Sequence, residues 1–181
     1  CSILSRNYYN NKKYNRCIKL SKRVLKTDKS NIEAMRLIAR SNKNLKNIEE
    51  SLEYYLKLLE KSPKNSESLL AIIRIYYNKK EYNNVLIYCN KYLEIDKIDI
   101  KTIIFKARSL SNLGELEESI GTWKKLLEIE ENHLEALLGI GRSSHVLGNY
   151  KIAKKYLERV LEQDSNERRA IRTLALVYDR T

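Results

Sequence analysis

The stretch of sequence that decides the fold is residues 134–167, which read LEALLGIGRSSHVLGNYKIAKKYLERVLEQDSNE. Apolar and small residues recur there at three- and four-residue spacing on both sides of Leu147-Gly148-Asn149. This spacing predicts two amphipathic helices joined by a tight turn. A single helical pair has no third surface against which to bury its apolar stripe. We therefore expect the unit to be repeated along the chain.

The same order of residues recurs every 34 residues in both directions from this stretch. Gly148 is preceded by Gly114, and one slot of the second helix is always leucine, at Leu25, Leu59, Leu93, Leu127 and Leu161. The small slot of the first helix holds Ser5, Ala39, Ile73, Ala107, Gly141 and Ala175. The register needs no insertion or deletion, and it predicts a partial repeat at 1–31, full repeats at 32–65, 66–99, 100–133 and 134–167, and a partial repeat or capping helix at 168–181.

This period and order of slots resemble the tetratricopeptide repeat. Trp123 occupies the aromatic slot of the second helix, and Pro63 stands at the terminal proline position. Ile73 in the small slot and Lys106 in an apolar slot depart from the family pattern. The resemblance covers the whole chain and implies an all-α, right-handed α-solenoid of stacked helix-turn-helix repeats, forming a single domain over residues 1–181.

Capping signatures and chain ends add two expectations. Four pairs match the capping-box spacing and predict helix starts: Ser30 with Glu33, Asn132 with Glu135, Asp164 with Glu167 and, inside a repeat, Asn47 with Glu50. The sequence begins and ends in the middle of a repeat, which favours the interpretation that it is a piece of a larger protein. Exposed repeat ends would also permit self-association. The alternative is that residues 168–181 are the cap, with a polar side formed by Arg168, Arg169, Arg172 and Arg180.

Composition narrows the class of function. With 43% hydrophobic residues, one Pro and five Gly, the chain is ordered and helical. No apolar run is long enough to cross a bilayer, so we expect no membrane insertion. Cys1, Cys17 and Cys89 fall in inward-facing slots with no zinc or redox spacing, which favours reduced thiols in the cytoplasm.

The net charge of +12 is concentrated toward the two ends of the chain. Residues 1–31 contain nine Lys and Arg against one Asp, whereas residues 66–167 are close to neutral. This distribution argues against a nucleic-acid partner bound along the whole molecule. We find no catalytic motif, metal motif or cofactor motif, and Gly139-Ile140-Gly141 fits close helix packing better than a dinucleotide fingerprint. We therefore expect a non-catalytic protein with no cofactor.

One arginine recurs in each first helix, and an asparagine follows four residues later. The arginines are Arg6, Arg40, Arg74, Arg108 and Arg142, and the asparagines are Asn10, Asn44, Asn78 and Asn112. The resemblance implies that these slots face a concave groove lined by first helices. Guanidinium groups suit carboxylates, and amides can clamp an extended backbone. Tyr9, Tyr77 and His145 share a neighbouring slot and are candidate anchors.

We call these recurring arginines and asparagines the ladder. On the sequence alone, two interpretations of the ladder remain open. The first is that it binds an extended or helical segment of a protein or peptide, acidic in character, which makes the chain a protein–protein interaction scaffold. The second is that Glu33, Glu67 and Glu135, each seven residues before a ladder arginine, neutralise it. A rival function is an accessory arm that recruits substrates to a larger enzyme, such as a glycosyltransferase or sulfotransferase.

Overall fold

The computed structural model describes residues 2–180, which form eleven α-helices and no strand. The first helices of the repeats are α1 (Ser2–Asn10), α3 (Ile32–Asn44), α5 (Ser66–Asn78), α7 (Ile100–Leu113), α9 (Leu134–Val146) and α11 (Arg168–Tyr178). The second helices are α2 (Tyr14–Thr27), α4 (Ile48–Lys61), α6 (Tyr82–Leu93), α8 (Leu116–Ile129) and α10 (Tyr150–Gln163). From residue 14 onward every helix starts 34 residues after its counterpart, so the predicted all-α repeat of helical pairs is confirmed.

The helices group into two compact units, Cys1–Lys79 (unit 1) and Lys80–Thr181 (unit 2). In unit 1 each helix from α1 to α5 packs against the next, and α1 also contacts α3. In unit 2 the same holds from α6 to α11, and α9 contacts both α7 and α11. Contacts of this kind, between sequence neighbours, are typical of repeat proteins. The expectation of a single solenoid over residues 1–181 stays a prediction.

The apolar slots of the repeat form the core of each unit. In unit 2, Leu137 of α9 is fully buried in one cluster with Leu157 of α10 and Val177 of α11. Burying each such side chain stabilises the fold by roughly 1.5–3 kcal/mol. A Cβ added at Gly141 would lie 2.7 Å from the Leu157 side chain, which accounts for the glycine there. The predicted close helix packing at these glycines is confirmed.

In two first helices, α3 and α9, the N-cap lies one residue later than the capping-box spacing predicts. The caps that accept a hydrogen bond from a backbone N–H three residues on are Asn31, Asn65, Asp99 and His133, at 2.9, 2.8, 2.7 and 3.3 Å. The predicted caps Ser30, Asn132 and Asp164 are wrong; Asp164, for example, accepts from the Asn166 N–H inside the turn. The predicted position of Asn47 as the N-cap of α4 is confirmed, although its side chain makes no capping hydrogen bond. These caps share one repeat slot, so the 34-residue register locates them better than a local motif does.

The turns inside the repeats adopt left-handed backbone at one fixed slot. Gly114 and Gly148 have φ of 82° and 76°, which glycine tolerates at little cost. The same slot in the earlier repeats holds Lys12, Lys46 and Lys80, with φ of 58°, 63° and 60°. Lysine is strained in this region, so packing of the two flanking helices imposes the turn.

Several sequence expectations concern single positions. Cys17 and Cys89 are buried and unpaired, whereas Cys1 lies outside the described residues. Helix α11 exposes Ile171, Leu176 and Tyr178 by 46%, 48% and 51%, besides the arginines expected on the polar side of a cap, and the capping helix stays a prediction. Over residues 2–180, no helix is both long and apolar enough to cross a membrane.

Candidate functional site

Three of the five ladder arginines are held by a glutamate of the following repeat. Arg6 pairs with Glu33 at 2.9 Å and Arg40 with Glu67 at 3.0 Å, and Arg108 pairs with Glu135. In each case the acid lies 27 residues later, as the second residue of the next first helix. These glutamates therefore neutralise ladder arginines, but each one pairs with the arginine of the preceding repeat. The arginine seven residues after each glutamate lies about 10 Å away along the same helix.

The remaining two ladder arginines have no acidic partner among residues 2–180. Arg74 and Arg142 are exposed, and neither makes an ion pair or hydrogen bond there. The residue 27 positions later is Lys101 in the first case and Arg169 in the second, where the other repeats have glutamate. A ladder arginine is therefore ion-paired where the residue 27 positions later is glutamate, and it is unpaired where that residue is Lys101 or Arg169.

The asparagines of the ladder direct their amide donors to the protein itself. Asn44 Nδ2 donates to the carbonyl of Arg40 at 3.0 Å and to the Tyr9 hydroxyl at 3.2 Å. Asn112 Nδ2 donates to the carbonyl of Arg108 at 2.8 Å. At Asn44 both amide N–H groups are used, so only its oxygen is available to a partner, whereas Asn112 keeps one N–H as well as its oxygen. Asn10 and Asn78 lie exposed at the ends of α1 and α5.

Four of the predicted site residues meet in a cavity of about 280 Å³ in unit 1, which we call the unit 1 groove. Tyr9, Arg40, Asn44 and Arg74 line it, together with Lys43, Tyr55, Glu67, Leu70 and Ala71. The Arg40 guanidinium lies 5.5 Å from the centre of the Tyr9 ring, which adds a cation–π contact to its pair with Glu67. The groove therefore combines a fixed guanidinium, a free one and aromatic surface.

Tyr55 is a groove residue that the ladder does not include. It comes from the second helix α4 and is only 1% exposed. Burial, and then the nearby Glu67 carboxylate, raise the pKa of its phenol, so the hydroxyl stays protonated. Its repeat slot also holds Trp123, so the aromatic slot of the second helix is a signal from which Tyr55 could have been found, although we did not select it from the sequence.

Among the other candidate anchors, His145 packs within its own repeat. The His145 ring lies 5.9 Å from that of Tyr150, just as Tyr9 lies 5.6 Å from Tyr14. These contacts join the end of a first helix to the start of its second helix, and Tyr77 is half-buried at the equivalent end of α5. Aromatic packing across the turn is thus shared by Tyr9 and His145, and Tyr9 also lines the groove.

A second cavity, of about 380 Å³, lies in unit 2. Arg142 lines it with Arg168, Arg169, Arg172 and Thr173, all from α11. Three of the four arginines that we expect on the polar side of a cap thus line the same cavity as a ladder arginine. Among residues 2–180, no three His, Cys, Asp or Glu side chains are arranged to hold a metal ion.

Comparison with known proteins adds family and fold. The tetratricopeptide repeat family model matches residues 33–65 and 135–167. The crystal structure described as "YrrB: a TPR protein with an unusual peptide-binding site" is 15% identical, covers 93% of this chain and 87% of its own, and has a TM-score of 0.79.

Two structures of MamA are also similar. One is 16% identical over 90% of this chain and 89% of its own, with a TM-score of 0.75. The other, MamA AMB-1, is 17% identical over 91% and 92%, with a TM-score of 0.79. At this level of identity the likeness concerns the fold alone. Curated protein sequences give no match.

Proposed function

We propose that the chain, two of whose repeats match the tetratricopeptide repeat family model, is a protein-interaction scaffold whose unit 1 groove binds an extended, acidic segment of a partner protein. The groove presents guanidinium groups beside aromatic and aliphatic surface, a combination that suits a segment with alternating acidic and apolar side chains. A peptide is also what the structurally similar YrrB is described as binding.

The observation that carries this proposal is the free guanidinium of Arg74. It lines the groove, it is exposed, and no acid of residues 2–180 occupies it. A partner carboxylate is a strong acceptor for such a group, because charge-assisted hydrogen bonds are about twice as strong as neutral ones. Arg40 is less available, since Glu67 already holds it.

The groove also offers specificity beyond charge. Leu70 and the small Ala71 of α5 line it next to Tyr55, which leaves room for an apolar side chain of the partner. Asn44 also lines the cavity, and its amide oxygen is the atom left to accept from a partner backbone N–H, because both of its N–H groups are used internally. Binding through these groups requires an extended partner segment and not a phosphate backbone.

The test uses Arg74→Ala and Arg6→Ala, two substitutions in the same repeat slot that remove the same charge. An array of nine-residue peptides with Glu or Asp alternating with apolar residues supplies the best binder, whose affinity for the chain is then measured by fluorescence anisotropy. We expect Arg74→Ala to weaken binding about tenfold or more, since a lost charged hydrogen bond costs about 1.5–3 kcal/mol. Arg6→Ala, outside the groove and held by Glu33, should change affinity by less than about twofold.

An anionic oligonucleotide of similar charge, titrated over a salt series, provides the comparison. Nonspecific attraction to positive charge weakens equally with either substitution and falls steeply with salt. The proposal is wrong if the two arginine variants weaken peptide binding equally, or if the oligonucleotide displaces the peptide with greater affinity at physiological salt.

A further inference from the structure

The cavity of unit 2 is lined by four arginines, and we call it the arginine pocket. Arg142 comes from α9, whereas Arg168, Arg169 and Arg172 come from α11, which packs directly against α9. The cavity has a volume of about 380 Å³, enough for a small anion with its neighbouring groups. The unit 1 groove contributes no residue to it, so the inference below does not depend on the proposed function.

The repeat register explains why these positive charges meet. In three other repeats the second residue of a first helix is a glutamate that holds the arginine 27 residues earlier. In α11 that position is Arg169, so Arg142 has a cation for a neighbour where an acid would otherwise stand. The pocket therefore forms at one of the two positions, Lys101 and Arg169, where a cation takes the slot that holds glutamate in three other repeats.

One of the four guanidinium groups is already occupied. Arg169 donates from Nε and Nη2 to the two carboxylate oxygens of Glu167, at 3.0 and 2.9 Å. These hydrogen bonds lower the pKa of Glu167 to about 2, so the carboxylate stays charged under all ordinary conditions. The Glu167 carboxylate also accepts from the Arg169 backbone N–H at 3.0 Å, which fixes it at the start of α11.

The other three guanidinium groups are available. Arg142, Arg168 and Arg172 are exposed and make no ion pair or hydrogen bond within residues 2–180. The Thr173 hydroxyl donates to the carbonyl of Arg169 at 2.8 Å, so it is not a free donor. Recognition in this pocket is thus left to three planar guanidinium groups with a combined charge that only an anion can offset.

We propose that the arginine pocket binds a phosphate group in its dianionic form. A phosphate monoester carries a charge of about −1.5 to −2 and three acceptor oxygens, which matches three guanidinium forks. A single carboxylate has half that charge and two oxygens, so it leaves at least one arginine unpaired. The phosphate belongs either to free inorganic phosphate or to a phosphorylated side chain of a protein, and both share this chemistry.

The experiment measures binding to the full 181-residue chain by isothermal titration calorimetry. The probes are inorganic phosphate, a phosphoserine peptide, and the same peptide with Ser or Glu in place of phosphoserine. Binding by inorganic phosphate identifies a pocket that accepts the free ion, whereas binding by the phosphoserine peptide alone identifies a site for a phosphorylated protein. Either result supports the proposal.

Variants locate the site. We expect Arg142→Ala and Arg172→Ala each to weaken phosphate binding about tenfold or more, because each removes a charged hydrogen-bond donor. Arg142→Lys keeps the charge but loses the fork, so binding should fall by a smaller factor. Glu167→Gln should tighten binding several-fold, because it removes a competing carboxylate and releases Arg169.

Arg108→Ala is the matched control, since it occupies the same repeat slot as Arg142 in the same unit but lies outside the pocket. It should alter phosphate affinity by less than about twofold. The proposal is overturned if no phosphate probe binds at millimolar concentration, if the Glu peptide binds as tightly as the phosphoserine peptide, or if Arg108→Ala weakens binding as much as Arg142→Ala. Circular dichroism of each exposed-site variant confirms that the helices are intact.

Discussion

A single residue in each 34-residue repeat decides whether a ladder arginine is held or free. Glutamate at this position holds the arginine of the preceding repeat, as Glu67 holds Arg40. Lys101 and Arg169 take the same position without offering an acceptor. The ladder itself was predictable because its members share one slot. The partner of each arginine was not, because it depends on which glutamate the neighbouring helix brings within reach.

At the same scale, the left-handed turn residue predicts a gain in stability. Lys46 has a φ of 63°, a region that costs a non-glycine residue about 1–2 kcal/mol. Lys46→Gly should therefore raise the free energy of unfolding by about 0.5–1 kcal/mol after the entropy of glycine in the unfolded chain is counted. Urea denaturation followed by circular dichroism measures this. Lys19→Gly, in the exposed middle of α2, should instead lower it by about 1 kcal/mol; equal losses for both would contradict the strain argument.

The buried thiol of Cys89 predicts a dependence on pH. Burial raises the pKa of Cys89 to about 12, from an ordinary value near 9. Between these two values the unfolded chain loses the thiol proton while the folded chain keeps it, so stability falls as the pH rises through this window. Wild type should lose stability relative to Cys89→Ala between pH 9 and 12, and iodoacetamide should not label Cys89 in the native chain at pH 9. Rapid native-state labelling, located by mass spectrometry, would contradict the burial.

Among helices, the period predicts more than local motifs do. The second helix of each repeat starts 34 residues after the second helix of the preceding repeat, from Tyr14 to Tyr150, as the sequence register requires. The capping-box motif misplaces the caps of α3 and α9 by one residue, because Ser30 and Asn132 lie in turns whose own geometry the motif ignores. Asn31 and His133 share a slot with Asn65 and Asp99, and their common position marks the true helix start.

Helix packing in unit 2 gives a prediction from two glycines. A Cβ at Gly139 of α9 would lie 2.4 Å from Nε1 of Trp123 in α8, whereas a Cβ at Gly121 of α8 meets nothing within 4 Å. Gly139→Ala should destabilise the chain by about 1–3 kcal/mol through overpacking. Gly121→Ala should stabilise it by about 0.5–1 kcal/mol through helix propensity. Thermal unfolding of both variants checks this, and a loss of stability in Gly121→Ala would refute the packing account.

Over the whole molecule, the sequence predicts the architecture well and the sites only in part. The repeat identifies the helices and the arginine ladder, because both follow from periodicity. It does not identify Tyr55, which reaches the unit 1 groove from a second helix, or the arginine pocket, whose α11 side chains resemble a solvated face when considered alone. Recognising either feature requires knowing which side chains of the neighbouring helix lie next to it. The repeat period does not give that packing between helices.

The central claim is that acids of the following repeat control which arginines a partner can reach. Calorimetric affinity of the selected acidic peptide for Glu67→Gln, compared with Glu33→Gln, tests it most directly. Glu67→Gln releases Arg40 inside the unit 1 groove and removes a repelling carboxylate, so binding should tighten several-fold; Glu33→Gln releases Arg6 outside the groove and should leave it within about twofold. Weaker binding by Glu67→Gln, or an equal change in both variants, would contradict the account.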